Sequence, residues 1–311
     1  MVYLAVQWAK KQGKKPRILA GRNAHKAFVT AAALMDLEVT WLFPGDGENY
    51  LSCCPKAENV ESILQKEKPA ALYLTSPDYL GHMADIEKIA AVCRKQNVLL
   101  IVDNAHGAYL KFLEKSLHPM DLGADFCCDS AHKTLPVLTG GAYLHLSEQM
   151  MRCFSRQLVK KAMSFFGSTS PSYLILQSLD AANPYLASDF RDVLRSRTEK
   201  LAALKKRMTA EKGYQLTGDE PLKLTIQAKP YGYTGYEMAQ ALREKGVECE
   251  FCDPDHLVLM PGAEMDEDEE ERLSKALLTL EKRPEIRAAA PAFAQPAQGM
   301  GIREAVMAES E

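Results

Sequence analysis

The chain has 311 residues, 47% of them hydrophobic and 25% charged, with a formal net charge of −3. This composition suits a globular protein with one large and one smaller domain. The faintly acidic balance argues against nucleic acid or an anionic membrane surface as a partner, and no apolar run approaches a membrane-spanning length. Met1 to Val6 is followed by Lys10, Lys11, Lys14 and Lys15, the reverse of a signal peptide's charge order, so a cytoplasmic protein is expected.

In chain order, strand-like apolar runs alternate with helical periods. Arg17-Ile18-Leu19-Ala20 precedes a helix over about 24–35, and Val39-Thr40-Trp41-Leu42-Phe43 precedes one around 60–65. Ala71-Leu72-Tyr73-Leu74-Thr75, a helix over 85–96 and Val98-Leu99-Leu100-Ile101-Val102 follow. Continuous apolar strands separated by helices predict an α/β fold with a mostly parallel sheet covered on both faces. Asp125 to Cys128 and Ala142 to His145 extend that sheet. Reactive groups in such sheets gather at strand ends, where Ser76, Asp103 and Ser130 stand.

After Ser170-Pro171-Ser172-Tyr173 the pattern changes. A basic helix over 190–212 leads to strands at 222–226, 247–251 and 257–260, with helices over 236–245 and 266–282. The expected division is 1–188 as a large domain, 189–282 as a linking helix and small α+β domain, and 283–311 as an Ala/Pro-rich tail, poorly ordered by composition. The acidic run 264–271 is read as a solvated helix start, where negative charge complements the helix dipole.

The eight cysteines are expected to be reduced apolar fillers. Cys53-Cys54 and Cys127-Cys128 are sequence neighbours and poor framework disulfides. Cys249 and Cys252 have metal-like spacing, but in an extended segment residues three apart point to opposite faces, and no second ligand pair lies nearby. No metal is expected.

The chemistry is concentrated in Asp129-Ser130-Ala131-His132-Lys133-Thr134, downstream of Val102-Asp103-Asn104-Ala105-His106. A lysine after an apolar strand, with a carboxylate at the end of another, is what pyridoxal phosphate requires. The lysine amine forms a Schiff base with the cofactor aldehyde, and the aspartate keeps the ring nitrogen protonated. Asp103 follows five apolar residues, so its charge needs a cationic partner or a capping role. Alone, Lys133 reads as a surface lysine and His25 as an exposed histidine at a helix start. His106 reads equally as a core histidine or a cofactor neighbour.

At these residues the chain resembles the fold-type I pyridoxal phosphate enzymes and, within them, the bacterial ornithine/lysine/arginine decarboxylases. The matching segments are Arg22-Asn23-Ala24-His25-Lys26, Thr75 to Gly81, Val102 to His106, Ser130 to Leu135 and Thr169 to Asp180. The resemblance implies that His25 and Ala105 flank the cofactor ring and Asp103 pairs with its nitrogen. It implies that Ser130 and His132 hold the phosphate, Lys133 is the Schiff-base lysine, and Ser170 reaches a neighbouring subunit's phosphate. Lys133 or His132 would return the proton to the α-carbon.

The implied reaction is decarboxylation of a basic amino acid (arginine, lysine or ornithine) to a polyamine-type amine, in a homodimer or larger homo-oligomer. Against the family pattern, the chain is expected to be truncated at both ends, lacking a phosphate-binding Gly-Ser/Thr loop and a C-terminal domain. Weak cofactor binding is therefore expected. The alternatives are an aminotransferase or carbon–sulfur lyase, which share the lysine and aspartate, and a non-catalytic or regulatory fragment of the same fold.

Overall fold

The apolar runs form a six-stranded sheet whose four inner strands bury nearly every residue, while the two edge strands are mostly half-buried. The computed structural model describes residues 1–45, 51–288 and 297–309. Strands β1 (Ile18–Gly21), β2 (Val39–Leu42), β3 (Ala71–Thr75), β4 (Leu99–Asp103), β5 (Phe126–Asp129) and β6 (Tyr143–Leu146) lie in the order β2-β1-β3-β4-β5-β6. The first five are mutually parallel and β6 runs antiparallel to β5. Side chains alternate between two cores. Ile18, Ala20, Ala71, Tyr73, Leu99, Ile101 and Phe126 enter one. Leu19, Leu72, Leu74, Leu100 and Val102 enter the other. This two-residue alternation, with both sides buried, is the mark of a doubly covered sheet.

Helices cover both faces. α1 (Val2–Lys11) and α2 (Lys26–Met35) contribute Leu4, Ala5, Trp8, Phe28 and Ala32 to the first core. α3 (Ala57–Glu67) and α4 (Ile86–Lys95) bury Val60, Leu64, Ile86 and Ile89 in the second, at three- and four-residue spacings that form one helical stripe. Asp85 caps α4 by accepting from the Lys88 N–H, where local hydrogen bonding favours a helix start. A one-turn helix α5 (Ala131–Thr134) follows β5. After β6 come α6 (Glu148–Cys153), α7 (Arg156–Ser164) and α8 (Tyr173–Ala187).

The chain divides into two units. The first comprises 1–78, 84–185 and 296–311; the second comprises 79–83 and 186–295. The expected boundary at 188/189 thus falls at 185/186, and Tyr79–Met83 joins the second unit. The reason is local: Thr225 Oγ1 donates to the Leu80 carbonyl, and the Asp219 and Glu220 N–H groups donate to that of Gly81.

The second unit has α9 (Phe190–Arg207), β7 (Gln215–Thr217), β8 (Leu224–Gln227), α10 (Gly235–Arg243), β9 (Phe251–Cys252), β10 (His256–Leu259) and α11 (Glu267–Leu278). Its four strands form an antiparallel sheet in the order β7-β8-β10-β9. Capping boxes at Thr234/Glu237 and Asp266/Glu269 begin α10 and α11. The expected strand over 247–251 shrinks to Phe251–Cys252. A bend at Glu250 brings Cys249 and Cys252 against the same core, correcting the expectation that they point apart. All eight cysteines are free thiols.

The expected tail also acquires structure. Arg283 and Ile286 donate backbone hydrogen bonds to the Tyr231 and Lys229 carbonyls. Residues 302–307 form α12 (Ile302–Met307), whose Arg303 guanidinium donates to the Ala33 and Leu34 carbonyls of α2. Residues 289–296 and 310–311 of that tail lie outside the described residues. Among the described residues no helix is long and apolar enough to cross a membrane.

Candidate active site

The C-terminal ends of β4 and β5 carry the chemistry. The register sets Asp103 directly beside Cys128, two residues before Ser130 and five before Lys133. Asp103 is buried. Tyr73 Oη donates to its Oδ2 at 2.7 Å, and the Ala105 N–H to its Oδ1 at 3.2 Å. Cys128 Sγ donates to Oδ1 at 3.7 Å. Burial and the neighbouring Asp103 charge push both the Tyr73 phenol and the Cys128 thiol well up, so each keeps its proton and acts as donor. The Ala105 contact is the short-range cap that the sequence offered as the plain alternative for Asp103; the other two contacts are not.

Lys133 lies within α5, half-buried, with Nζ 3.0 Å from His106 Nε2. His106 itself is buried in the turn after β4. His132 places Nδ1 3.0 Å from the Gly141 carbonyl. A carbonyl only accepts, so Nδ1 carries the proton, and neutral His132 presents a lone pair at Nε2. Ser130 is the first residue of this turn, and its hydroxyl makes no capping bond.

Two expected residues stand apart from this group. His25 is exposed at the start of α2, its Nδ1 accepting from the Ala27 N–H. Ser170 is exposed and its N–H donates to Ser168 Oγ. Among the described residues neither is hydrogen bonded to Asp103, His106, His132 or Lys133.

A second buried carboxylate lies one residue before Ser130. Asp129 accepts from Asn104 Nδ2 at 2.7 Å, His145 Nε2 at 2.8 Å and His118 Nε2 at 3.1 Å. Burial alone would raise its carboxyl, but the hydrogen bonds from His118 and His145 outweigh that and hold it well below the usual carboxylate range. The ligand atoms of His118, Asp129 and His145 lie within 4.8 Å of one another. However, His118 Nδ1 accepts from the Met120 N–H at 3.3 Å. The neutral ring therefore carries its proton on Nε2, facing Asp129, where a metal would need a lone pair. The cluster reads as a clamped carboxylate tying β4, β5 and β6 together. Gly107 allows the turn to close: a Cβ there would stand 2.0 Å from Asn104 Oδ1.

These residues fit pyridoxal phosphate. The site offers an amine for an aldehyde and a buried carboxylate for a ring cation. Thr75 Oγ1, beside Asp103 in the β3–β4 register, and Thr134 Oγ1, next to Lys133, are buried without a hydrogen-bond partner. Buried hydroxyls rarely stay unpaired, so this edge suits a polar ligand.

Comparison with known proteins agrees. The description "Orn/Lys/Arg decarboxylase, major domain" matches residues 5–220, and the chain belongs to that family. An arginine decarboxylase of Halalkalibacterium halodurans is 31% identical over 283 residues, covering 86% of this chain and 57% of that protein. The constitutive lysine decarboxylase of E. coli superposes with a TM-score of 0.65 at 18% identity, covering 84% of this chain and 45% of that one. Alanine–glyoxylate aminotransferase from Nostoc sp. superposes with a TM-score of 0.67 at 18% identity, covering 84% and 74%. The fold is that of the fold-type I pyridoxal phosphate enzymes, and pyridoxal phosphate is the cofactor that the decarboxylase family implies. The chain spans about half the length of the curated relatives it matches.

Proposed function

We propose that this chain carries the cofactor site of a pyridoxal-phosphate-dependent decarboxylase acting on arginine, lysine or ornithine and releasing the corresponding amine. The observation that carries the reading is the placement of Asp103 at the end of β4 and of Lys133 in the helical turn after the neighbouring β5, each with a defined hydrogen-bond partner. Lys133 would hold the cofactor through its amine and Asp103 through the ring nitrogen. Ser130 and His132 would hold the phosphate, and His25 and Ala105 would flank the ring. Bound there, pyridoxal phosphate supplies the electron sink for the pair left when carbon dioxide departs.

The protein's part is placement and proton handling. Asp103 stabilises positive charge at the ring nitrogen in a site with little water, where such a contact counts for more than in solution. His106 orients the Lys133 amine. Lys133 would return a proton to the α-carbon. His132 can give a proton from Nε2 only as an imidazolium, because its Nδ1–H is committed to Gly141.

A homodimer is the assembly this reading requires, with Ser170 serving the neighbouring site. Its support is a run of exposed apolar residues: Tyr173 is 87% exposed and Leu174 67%, with Phe165, Phe166 and Leu176 also uncovered. An apolar surface of this kind commonly marks an interface.

The test is to incubate the protein and pyridoxal phosphate separately with arginine, lysine and ornithine, measuring carbon dioxide and amine. Stoichiometric carbon dioxide and amine from one of the three is expected. A keto acid instead of carbon dioxide would transfer the site to the aminotransferases.

A further inference from the structure

Asp103 is gripped from both neighbouring strands. Tyr73, Ile101 and Phe126 all enter the first core. Asp103 and Cys128, two residues beyond Ile101 and Phe126, therefore share the face of Tyr73. The register sets Tyr73 beside Ile101 and Asp103 beside Cys128. Cys128 on β5 and Thr75 on β3 are thus the direct neighbours of Asp103, and Tyr73 is a diagonal one. A diagonal position is beyond a short side chain but within reach of an aromatic one. The Tyr73 ring is 3% exposed and packs on Phe28 with centroids 4.3 Å apart, so its hydroxyl is delivered to one place.

The count of acceptor positions is informative. An ionised carboxylate has about four lone-pair sites, two per oxygen. Ala105 and Cys128 engage Oδ1 and Tyr73 engages Oδ2. Among the described residues one position on Oδ2 is left, and the plane of the carboxylate is set by donors on three sides.

We propose that Tyr73 is a positioning residue for Asp103, holding the carboxylate in one plane so that Oδ2 receives a ring N–H. The inference rests on the pyridoxal phosphate reading above and extends it to a residue of β3. A tyrosine that merely fills the core would support any ligand of the same shape equally. A tyrosine that acts through Asp103 matters only for a ligand with a ring nitrogen.

That difference sets the experiment. Calorimetric titration of the full chain compares pyridoxal phosphate with its 1-deaza analogue, in which the ring nitrogen is replaced by C–H. Wild type should prefer pyridoxal phosphate. In Tyr73→Phe that preference should fall by roughly tenfold, the effect of losing one hydrogen bond to a charged group. Binding of the deaza analogue should stay unchanged.

Equal weakening of both ligands would mean that Tyr73 only packs, and would overturn the proposal. Absence of any preference in wild type would instead overturn the pairing of Asp103 with a ring nitrogen, and the proposal with it. Should Tyr73→Phe lose its cooperative melt, Cys128→Ala reads the same ratio through Oδ1. A reduced preference there supports the three-donor grip, and an unchanged one overturns it.

Discussion

Lys133 Nζ stands 3.0 Å from His106 Nε2, and the two residues follow adjacent parallel strands, β5 and β4. The contact joins the reactive amine to the turn that begins at Asp103, so a shift in either strand end moves both. Replacing His106 with Phe removes the partner while keeping a buried ring. The expected outcome is a kcat about tenfold to a hundredfold lower, the scale of a misplaced reactive group, with the melting temperature little changed. An unaltered kcat would show that the contact has no role in turnover.

Asp103→Asn preserves the shape of the strand end and removes the charge. Loss of one such electrostatic contact raises a barrier by about 3 kcal/mol, or roughly a hundredfold in rate. The expected result is a folded protein with the cofactor still attached and decarboxylation nearly abolished. Near-normal turnover would leave Asp103 with a structural role alone, as the acceptor for Tyr73, Cys128 and the Ala105 N–H.

Asp129 gives a pH-dependent prediction. Its carboxyl is buried, and hydrogen bonds from His118 and His145 hold it below its ordinary value. A depressed carboxylate adds stability that is fully present above its unfolded pKa of about 3.9 and is lost as pH falls toward the lower folded value. Asp129→Asn should therefore destabilise the protein at pH 7, on the order of 2 kcal/mol for lost hydrogen bonds to a buried charged group. The gap between variant and wild type should narrow in acid below about pH 4. Denaturant midpoints measured at pH 7 and in acid check this, and a gap that widens in acid would contradict it.

Much of this site was legible in the sequence, and the remainder was hidden for physical reasons. Asp103 and Lys133 stand beside apolar runs whose continuity announces parallel strands, so their placement at strand ends could be read directly. Tyr73 sits inside such a run and reads as core; its hydroxyl meets Asp103 only through the β3–β4 register, which local periodicity does not contain. His118 and His145 are 11 and 16 residues from Asp129, joined to it by a loop and by the antiparallel return of β6. Neither spacing has a local signature. Cys249 and Cys252 were misread because one bend at Glu250 reverses the alternation of an extended segment. Residues 302–307 were misread because a short helix on α2 draws its stability from packing more than from its own sequence.

The apolar run on α8 and its approach predicts assembly. Tyr173→Glu combined with Leu174→Arg should convert a homodimer to monomer in light scattering, since a stable interface buries roughly 1,200–2,000 Å² and does not tolerate charge at its centre. Cofactor affinity should fall in the same variant if Ser170 serves the neighbouring site. A wild-type monomer with tightly bound cofactor would contradict both statements.

The identity of the cofactor-bearing lysine is the most direct test of the account. The protein is equilibrated with pyridoxal phosphate, reduced with borohydride, digested and examined by mass spectrometry. The account predicts a single phosphopyridoxyl adduct on Lys133, and none in Lys133→Ala. An adduct carried chiefly by Lys26 or Lys161, or one that persists in Lys133→Ala, would contradict it.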